Sequence, residues 1–552
     1  MTTGATDSVL VVGAGPVGLA MGCELTRRGV AVRVIDACAQ PTDKSKALGV
    51  QARTLEALAS MGIADRFVDQ GRKIHGVNAY ADGARIVHVS LDDIDSPFSY
   101  TLSLPQADTE RLLAEHLAEL GGSVEREVTL TGLRQDADGV TATLQHAGGR
   151  VESARLAWLV GCDGAHSATR HALGLPFEGV AYDEAFVLGD VRIAWELPDD
   201  ETHAFIAKDG LIAALPLPRG KWRLVGDADL PAPTVDDLAR LLLERGAPKA
   251  QISDAGWVAP FRIHRRIVPR YREGRVFLAG DAAHIHSPVG GQGMNTGIQD
   301  AHNLGWKLAL VAAGHAPTSL LDSYDPERRP IAAATLQGTD LATKVITLRN
   351  PVAREVRNRL APMLSSLEVV QKRMLSQASE IAVGYRGSPI VDEHRSSVAR
   401  ATVGTRVGEK PTLADWVSFG GAPHPGDRAP DVEVNDTTTV HGLLRHTRST
   451  LLLFDGAAPT PEGYANLADI ARRVRERWAS HVESWIVVPR RSRPPELADD
   501  ERVLLDARAL VHRRYGGGSE CLYLVRPDGY VGFRSQPASW AALEEHLSGI
   551  LR

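Results

Sequence analysis

Apolar residues along this chain fall into three kinds of pattern. Near the start, a continuous apolar run from Ser8 to Val12 breaks at Gly13-Ala14-Gly15-Pro16-Val17-Gly18 and gives way to helical spacing at Leu19, Ala20, Cys23 and Leu25; a second run, Val30 to Ile35, ends at Asp36. Continuous runs joined by a helix predict a βαβ unit with buried parallel strands. Period-two alternation follows at Val128 to Leu133 and Val140 to Gln145, and again between Phe186 and Trp257 at Val187 to Ile193, Leu211 to Pro216 and Trp222 to Gly226. Those runs predict antiparallel strands. A third pattern runs from Gly274 to Lys307, where a buried strand (Arg275 to Ala279) breaks at Gly280-Asp281, passes Gly290, Gly291 and Gly293, and becomes a helix carrying Ile298, Ala301, Leu304 and Leu308. Helical spacing covers Ile331 to Val383, with a charged amphipathic run at Val352 to Val370. Beyond Gly404 the chain turns to loops, including Gly420 to Asp431, then reads strand (Leu451 to Phe454), helix (Ala465 to Trp478), strand (Ser484 to Val488) and strand (Leu522 to Val525).

At 552 residues the chain exceeds one ordinary domain. Its net charge of -6 gives no reason to expect nucleic-acid or anionic-membrane binding. Four cysteines, Cys23, Cys38, Cys162 and Cys521, show neither CxxC nor metal spacing, so no metal site is expected, and each is read as a small core residue. The opening MTTGATDSVLVVGAG has no basic segment ahead of its apolar run, and no run is long enough to span a bilayer. The expectation is a cytoplasmic protein, monomer or homodimer.

The glycine turns carry the chemistry. In Gly13-x-Gly15-x-x-Gly18 the first glycine serves a tight turn, the second close approach to a pyrophosphate and the third helix packing, while Asp36 stands where an acid accepts ribose hydroxyls. The start of the helix at Met294 and Asn295 offers unsatisfied N–H groups and partial positive charge, so it suits an anion or an electron-rich ring.

The long string GDAAHIHSPVGGQGMNTGIQDAHNLGWKL resembles the second flavin signature of the FAD-dependent aromatic hydroxylases, the single-component flavoprotein monooxygenases related to phenol hydroxylase and to polyketide-tailoring hydroxylases. The segment Leu159 to Arg170, with Asp163-Gly164, resembles the family's DG motif. Leu320 to Pro330 resembles its LLxxYxxERxP closure, and Leu104 to Glu110 its Gln-containing flavin element. The resemblance implies an α/β fold: a Rossmann-like FAD-binding domain over 1–180 and 260–400, an antiparallel-sheet substrate domain over 181–259, and a thioredoxin-like C-terminal domain over 404–552 that lacks CxxC. It places FAD on Gly13, Gly15, Pro16, Val17, Gly18, Asp36, Gln106, Asp163, Gly164, Asp281, Pro288, Gly290, Gly291, Gly293, Met294 and Asn295. Asp281 would bond the ribityl chain. Lys46 stands where the family more usually has Arg against the phosphates, and Arg53 either carries that contact or caps its own helix.

The activity implied is FAD- and NAD(P)H-dependent hydroxylation of a phenolic or polycyclic aromatic substrate through a C4a-hydroperoxyflavin. NADPH or NADH is expected to bind transiently, because no second GxGxxG is present. Baeyer–Villiger oxygen insertion on a ketone uses the same motifs and stays open, as does a non-catalytic flavin-binding protein; a flavin halogenase is disfavoured by the lack of Trp-x-Trp-x-Ile-Pro. A phenol is most reactive as its phenolate, and His264, His284 and His286 are candidate bases, each also readable as a structural histidine. Phe205, Leu215, Pro216 and Trp222 are readable as pocket lining or as sheet core.

Overall fold

The computed structural model describes residues 8–42, 45, 47–81, 83–247, 249–254, 256–286, 291–346, 368–395, 411–457, 460–497 and 502–552, without the side chains of 181–184, 263, 339–346 and 368. Lys46, Pro288 and Gly290 lie outside these residues, as does most of the run from Val352 to Val370. The chain divides into two compact units. The first comprises Met1–Leu58, Ile63–His302 and Arg328–Ile381, and the second Ala59–Gly62, Asn303–Glu327 and Ala382–Arg552.

In the first unit, the run beginning at Ser8 becomes strand Val9–Val12, buried at every position. It pairs in parallel with Val32–Asp36 on one side and Trp158–Gly161 on the other, and the sheet continues to Val124–Arg126 and Val276–Leu278, with Arg272–Glu273 as an antiparallel edge. Helix Pro16–Thr26 lies beside the sheet because Gly22 leaves room for it: a Cβ there would meet Val34 Cγ2 at 3.0 Å and Leu117, on helix Gln106–Glu119, at 3.4 Å. The alternating runs after residue 128 form a meander, Val128–Gln135, Val140–His146 and Val151–Leu156, whose inward residues share one core with Leu10, Ile35, Leu159 and Val276.

The alternation between Phe186 and Trp257 belongs to a nine-stranded sheet centred on the long strand Glu178–Ala194, flanked by Val258–Ile267 and Trp222–Asp227. This sheet extends beyond 181–259. It takes in Gly76–Ala81 and Ala84–Ser90, and its single parallel pair joins Gly76–Ala81 to Glu201–Ala207. Helix Val235–Arg245, started by a Thr234/Asp237 capping box, covers one face with Leu238, Leu241 and Leu242. Phe205 and Trp222 pack into that core, so for these two the core reading holds.

The second unit holds a six-stranded mixed sheet ordered Asp392–Arg395, Val531–Gln536, Cys521–Val525, Ser449–Phe454, Val482–Val488, Val503–Leu505. A parallel strand–helix–strand (Ser449–Phe454, Pro461–Trp478, Val482–Val488) precedes an antiparallel hairpin and the closing helix Trp540–Ile550, which is thioredoxin-like order. Apolar residues fill both faces. At the turn between Cys521–Val525 and Val531–Gln536 sits a buried ion cluster: Lys307 Nζ donates to Glu327 Oε2 at 2.7 Å, and Arg526 bridges both Glu327 oxygens at 2.7 and 2.9 Å and also pairs with Asp528. Burial lowers the Lys307 pKa to about 8 even though Glu327 opposes it.

All four cysteines are free. Cys23, Cys162 and Cys521 are buried as expected, whereas Cys38, in the turn after Asp36, is exposed and is not a core residue. Among the described residues, no helix is long and apolar enough to cross a membrane, and no His/Cys/Asp/Glu group is arranged to hold a metal.

Candidate functional site

The three glycine turns read from sequence meet in the first unit. Gly13 has φ +100°, and a Cβ there would lie 2.5 Å from the Cys162 carbonyl; a Cβ on Gly18 would lie 1.8 Å from the Gly13 carbonyl. Gly15 is the opposite case, since its missing Cβ opens onto space with nothing within 4 Å. It is also the N-cap of helix Pro16–Thr26, whose first turn has no side-chain cap. Asp36 grips the turn from the next strand, Oδ2 accepting the Ala14 N–H at 2.7 Å and Oδ1 the Cys38 N–H at 2.8 Å.

The Asp163-Gly164 turn is braced by its own side chain. Asp163 accepts from the Ser167 hydroxyl (2.5 Å), the Thr169 N–H (2.9 Å) and the Thr169 hydroxyl (3.0 Å), while Ser167 caps helix Ala168–Ala172. Arg170 then stitches this turn to the third, donating to the Ala165 carbonyl at 2.8 Å and to the Ala282 carbonyl at 3.1 Å. Asp281, on the short turn Gly280–Ala282, is exposed. Val17, Gly280 and Gly297 interlock: a Cβ on Gly280 would meet Val17 at 2.7 Å and one on Gly297 would meet it at 2.6 Å.

Asn295 is the brace of the helix start. Its Oδ1 accepts the Gln51 N–H at 2.8 Å, and its Nδ2 donates to the carbonyls of Gly49 (2.8 Å) and Gly291 (2.7 Å). All three contacts are to backbone, so the side chain fixes the loops at the start of helix Gly293–Ala312. Met294, beside it, is buried. Gln106 is similarly committed, accepting from the Ala47 N–H at 3.3 Å and donating to Glu110 at 2.8 Å. The Arg53 guanidinium is buried and paired with Glu56 at 2.9 Å within its own helix.

The three histidines separate. His284 is buried, bonded to Asp300 at 2.8 Å and stacked on Tyr271. It is a structural histidine. His286 lies beside the helix start, its ring 3.6 Å from where a Gly293 Cβ would stand. His264 is half-buried on strand Val258–Ile267, opposite Ala181.

Four residues hold contacts that the sequence reading did not assign to them. Asp300 joins the Gly280 N–H (3.1 Å), His284 and Arg328 (2.7 Å); burial pushes its carboxyl up, but Arg328 and His284 outweigh that and hold it below the usual range. Arg223, 1% exposed, leaves the sheet to clamp Asp190 at 2.6 and 2.9 Å and the Ser45 carbonyl at 2.6 Å. Glu380 is buried with φ +60°; Oε2 accepts from Gln299, Oε1 has no hydrogen-bond partner among the described residues, and burial drives its pKa up to about 8. Asp300 and Arg328 stand inside the flavin string and the closure motif quoted above, but their pairing across 28 residues gave no spacing signal. Arg223 did give one, because it alternates with Trp222 and Leu224 and so had to face away from their core.

This geometry fits a dinucleotide carrying a flat ring: one turn opens at Gly15 onto a helix start, a second helix start lies where Asn295 fixes the loops, and an exposed acid sits between. Residues 6–339 match the family model described as FAD binding domain, and residues 422–551 match the one described as aromatic-ring hydroxylase, C-terminal. The chain belongs to the FAD-dependent aromatic hydroxylases. Among relatives of this family, 6-methylpretetramide 4-monooxygenase of Streptomyces rimosus is 35% identical over 98% of this chain and 93% of its own. Pentachlorophenol 4-monooxygenase of Sphingobium chlorophenolicum is 31% identical over 96% and 94%. The solved structure of anhydrotetracycline hydroxylase from Streptomyces rimosus superposes with a TM-score of 0.72 at 31% identity, covering 98% of each chain. As an aromatic hydroxylase, the chain is a flavin-dependent monooxygenase of aromatic compounds.

Proposed function

We propose that this hydroxylase uses NAD(P)H and O2 to add one oxygen atom to a phenolic ring of a polycyclic, polyketide-type substrate. The observation that carries the reading is the knitting of three flavin turns into one rigid cradle through Arg170, Asn295 and the Val17–Gly280–Gly297 contact. In this reading the pyrophosphate of FAD lies over Gly13, Gly15 and Gly18, and Asp36 accepts from the ribose with the lone pairs it does not spend on Ala14 and Cys38. Asp281 takes the ribityl chain, and the N–H groups from Gly293 to Asn295 meet the pyrimidine end. When bound, FAD supplies the electron transfer and the oxygen activation. The protein then positions the ring, excludes water and balances charge. The long antiparallel sheet, on the face from which Arg223 reaches Ser45, is the surface assigned to the substrate. Tetracycline-type names among the relatives favour a multi-ring substrate.

The test is NADPH consumption by the FAD-loaded enzyme with simple phenols, tetracyclic phenols and polycyclic quinones, with product mass followed in the same samples. Stimulation by a tetracyclic phenol with a gain of one oxygen atom on a carbon of the ring supports the proposal. An ester or lactone product would replace hydroxylation with oxygen insertion, and stimulation by single-ring phenols alone would overturn the substrate class.

A further inference from the structure

The end of one helix meets the start of another in the first unit, and a buried acid stands where they meet. Just past helix Glu368–Ala378, the Ser379 carbonyl accepts the Arg53 N–H at 3.1 Å, and the Gln377 carbonyl accepts the Gln292 side-chain amide at 3.0 Å. The end of this helix is thus tied both to helix Ala52–Ser60 and to the residue before helix Gly293–Ala312. Glu380 follows with φ +60°, a left-handed backbone that a non-glycine residue keeps only where its surroundings impose it. Its side chain meets the first two turns of helix Gly293–Ala312, where Oε2 accepts from the Gln299 amide beside Thr296 and Asp300.

The charged groups around Glu380 are matched elsewhere. Asp300 is answered by Arg328 at 2.7 Å and by His284 at 2.8 Å, and Arg53 by Glu56 at 2.9 Å. Glu380 receives a neutral amide on Oε2, while Oε1 is buried with no hydrogen-bond partner among the described residues. It also stands just past the C-terminal end of helix Glu368–Ala378, where the peptide dipoles place partial negative charge, so its ionised form meets like charge. Burial pushes the carboxyl up to about 8, against the pull of Arg328 and the Gln299 amide and with a further push from Asp300.

Flavin reduction changes the charge in this region. A hydride brings two electrons and one proton, so the ring gains one negative charge unless a second proton arrives. On the reading proposed above, in which the N–H groups from Gly293 to Asn295 meet the pyrimidine end of FAD, that charge faces the positive end of the helix. We infer that Glu380 is a positioning residue acting through helix Gly293–Ala312: neutral, it leaves the positive helix end at full strength for the reduced flavin, and ionised, it weakens that end, so that flavin reduction and protonation of Glu380 favour each other. The coupling is reciprocal. Whatever factor the ionised acid takes from reduction, reduction takes from its ionisation, and the proton comes from solvent.

The experiment reads the midpoint potential of the bound FAD by spectroelectrochemistry, in half-unit steps from about pH 6 to about pH 9.5, in the full chain and its Glu380→Gln variant. The two curves should coincide near pH 6, where both side chains are neutral. Above about pH 8 the parent should fall below the variant, approaching about tenfold in the reduction equilibrium, or about 30 mV for a two-electron couple. A second measurement needs no variant: near pH 8.5, reduction of the parent in weak buffer should take up about half a proton per flavin beyond the one the reduced anion itself keeps. Coincident curves, an offset that does not change with pH, or uptake of a single proton across the range would each reduce Glu380 to a structural residue and overturn the inference. A parent chain that binds no FAD would instead overturn the cradle reading on which it rests.

Discussion

Glu380→Gln is the substitution whose effect follows most directly from the structure. Glu380 is buried, its Oε1 lacks a hydrogen-bond partner among the described residues, and its pKa stands at about 8 against an ordinary value of 4.5, with burial the leading cause and Arg328 opposing it. The sign follows from proton counting. Between pH 4.5 and 8 the folded protein keeps this proton while the unfolded chain releases it, so stability contributed by the neutral acid is present at low pH and is lost as pH rises towards 8. At about 1.36 kcal/mol per pH unit, the loss from pH 5 to pH 8 amounts to about 3–4 kcal/mol. Glutamine has the same shape, still offers Gln299 an acceptor, and does not ionise. The assay is the urea midpoint of the FAD-loaded protein and its Glu380→Gln variant at half-unit steps from pH 5 to pH 8. Every other titrating group is common to the two proteins, so the difference isolates residue 380. The variant is expected to gain on the parent steadily over that window. Parallel curves would show that Glu380 is not held neutral by burial and would refute the reasoning.

Three further outcomes are expected. Gly18→Ala puts a methyl 1.8 Å from the Gly13 carbonyl, and because backbone cannot yield as a side chain does, flavin absorbance per mole of purified protein should fall to near zero. Asn295→Ala releases one buried N–H and two carbonyls; at about 1–3 kcal/mol for a buried polar group left unsatisfied, FAD affinity should drop at least tenfold by flavin fluorescence titration, with Asn295→Asp failing to rescue because it cannot donate to Gly49 and Gly291. Arg526→Met takes the guanidinium from Glu327 and Asp528 and leaves Glu327 with Lys307; breaking a buried pair costs about 3–5 kcal/mol, so the thermal transition of the second unit should fall while a Lys307→Met/Glu327→Leu double variant falls less.

What the sequence revealed was contiguous. The turns at Gly13–Gly18, Asp163–Gly164 and Gly280–Asp281 were legible because each spells its geometry in adjacent residues, and Val9–Val12, Trp222–Asp227 and Ser449–Phe454 because their periodicity is local. Strands Gly76–Ala81 and Glu201–Ala207 were not foreseen: they pair across more than a hundred residues, and their mixed burial reads weakly in isolation. The braces were hidden for the same reason. The helix start at Asn295 was legible in the sequence, but the service of its side-chain amide to Gly49, Gln51 and Gly291 is visible only once helix Gly293–Ala312 lies against the segment near residue 50. His284 could have been a base by composition and is excluded by its burial against Asp300.

The second unit borrows Asn303–Glu327 from the middle of the chain, and this governs how such enzymes can be recombined. Cutting at Ile381 would leave Lys307 and Glu327 behind without Arg526 and Asp528, stranding buried charge instead of releasing a tidy module. A tail grafted from a relative must therefore match the second half of a helix encoded two hundred residues earlier.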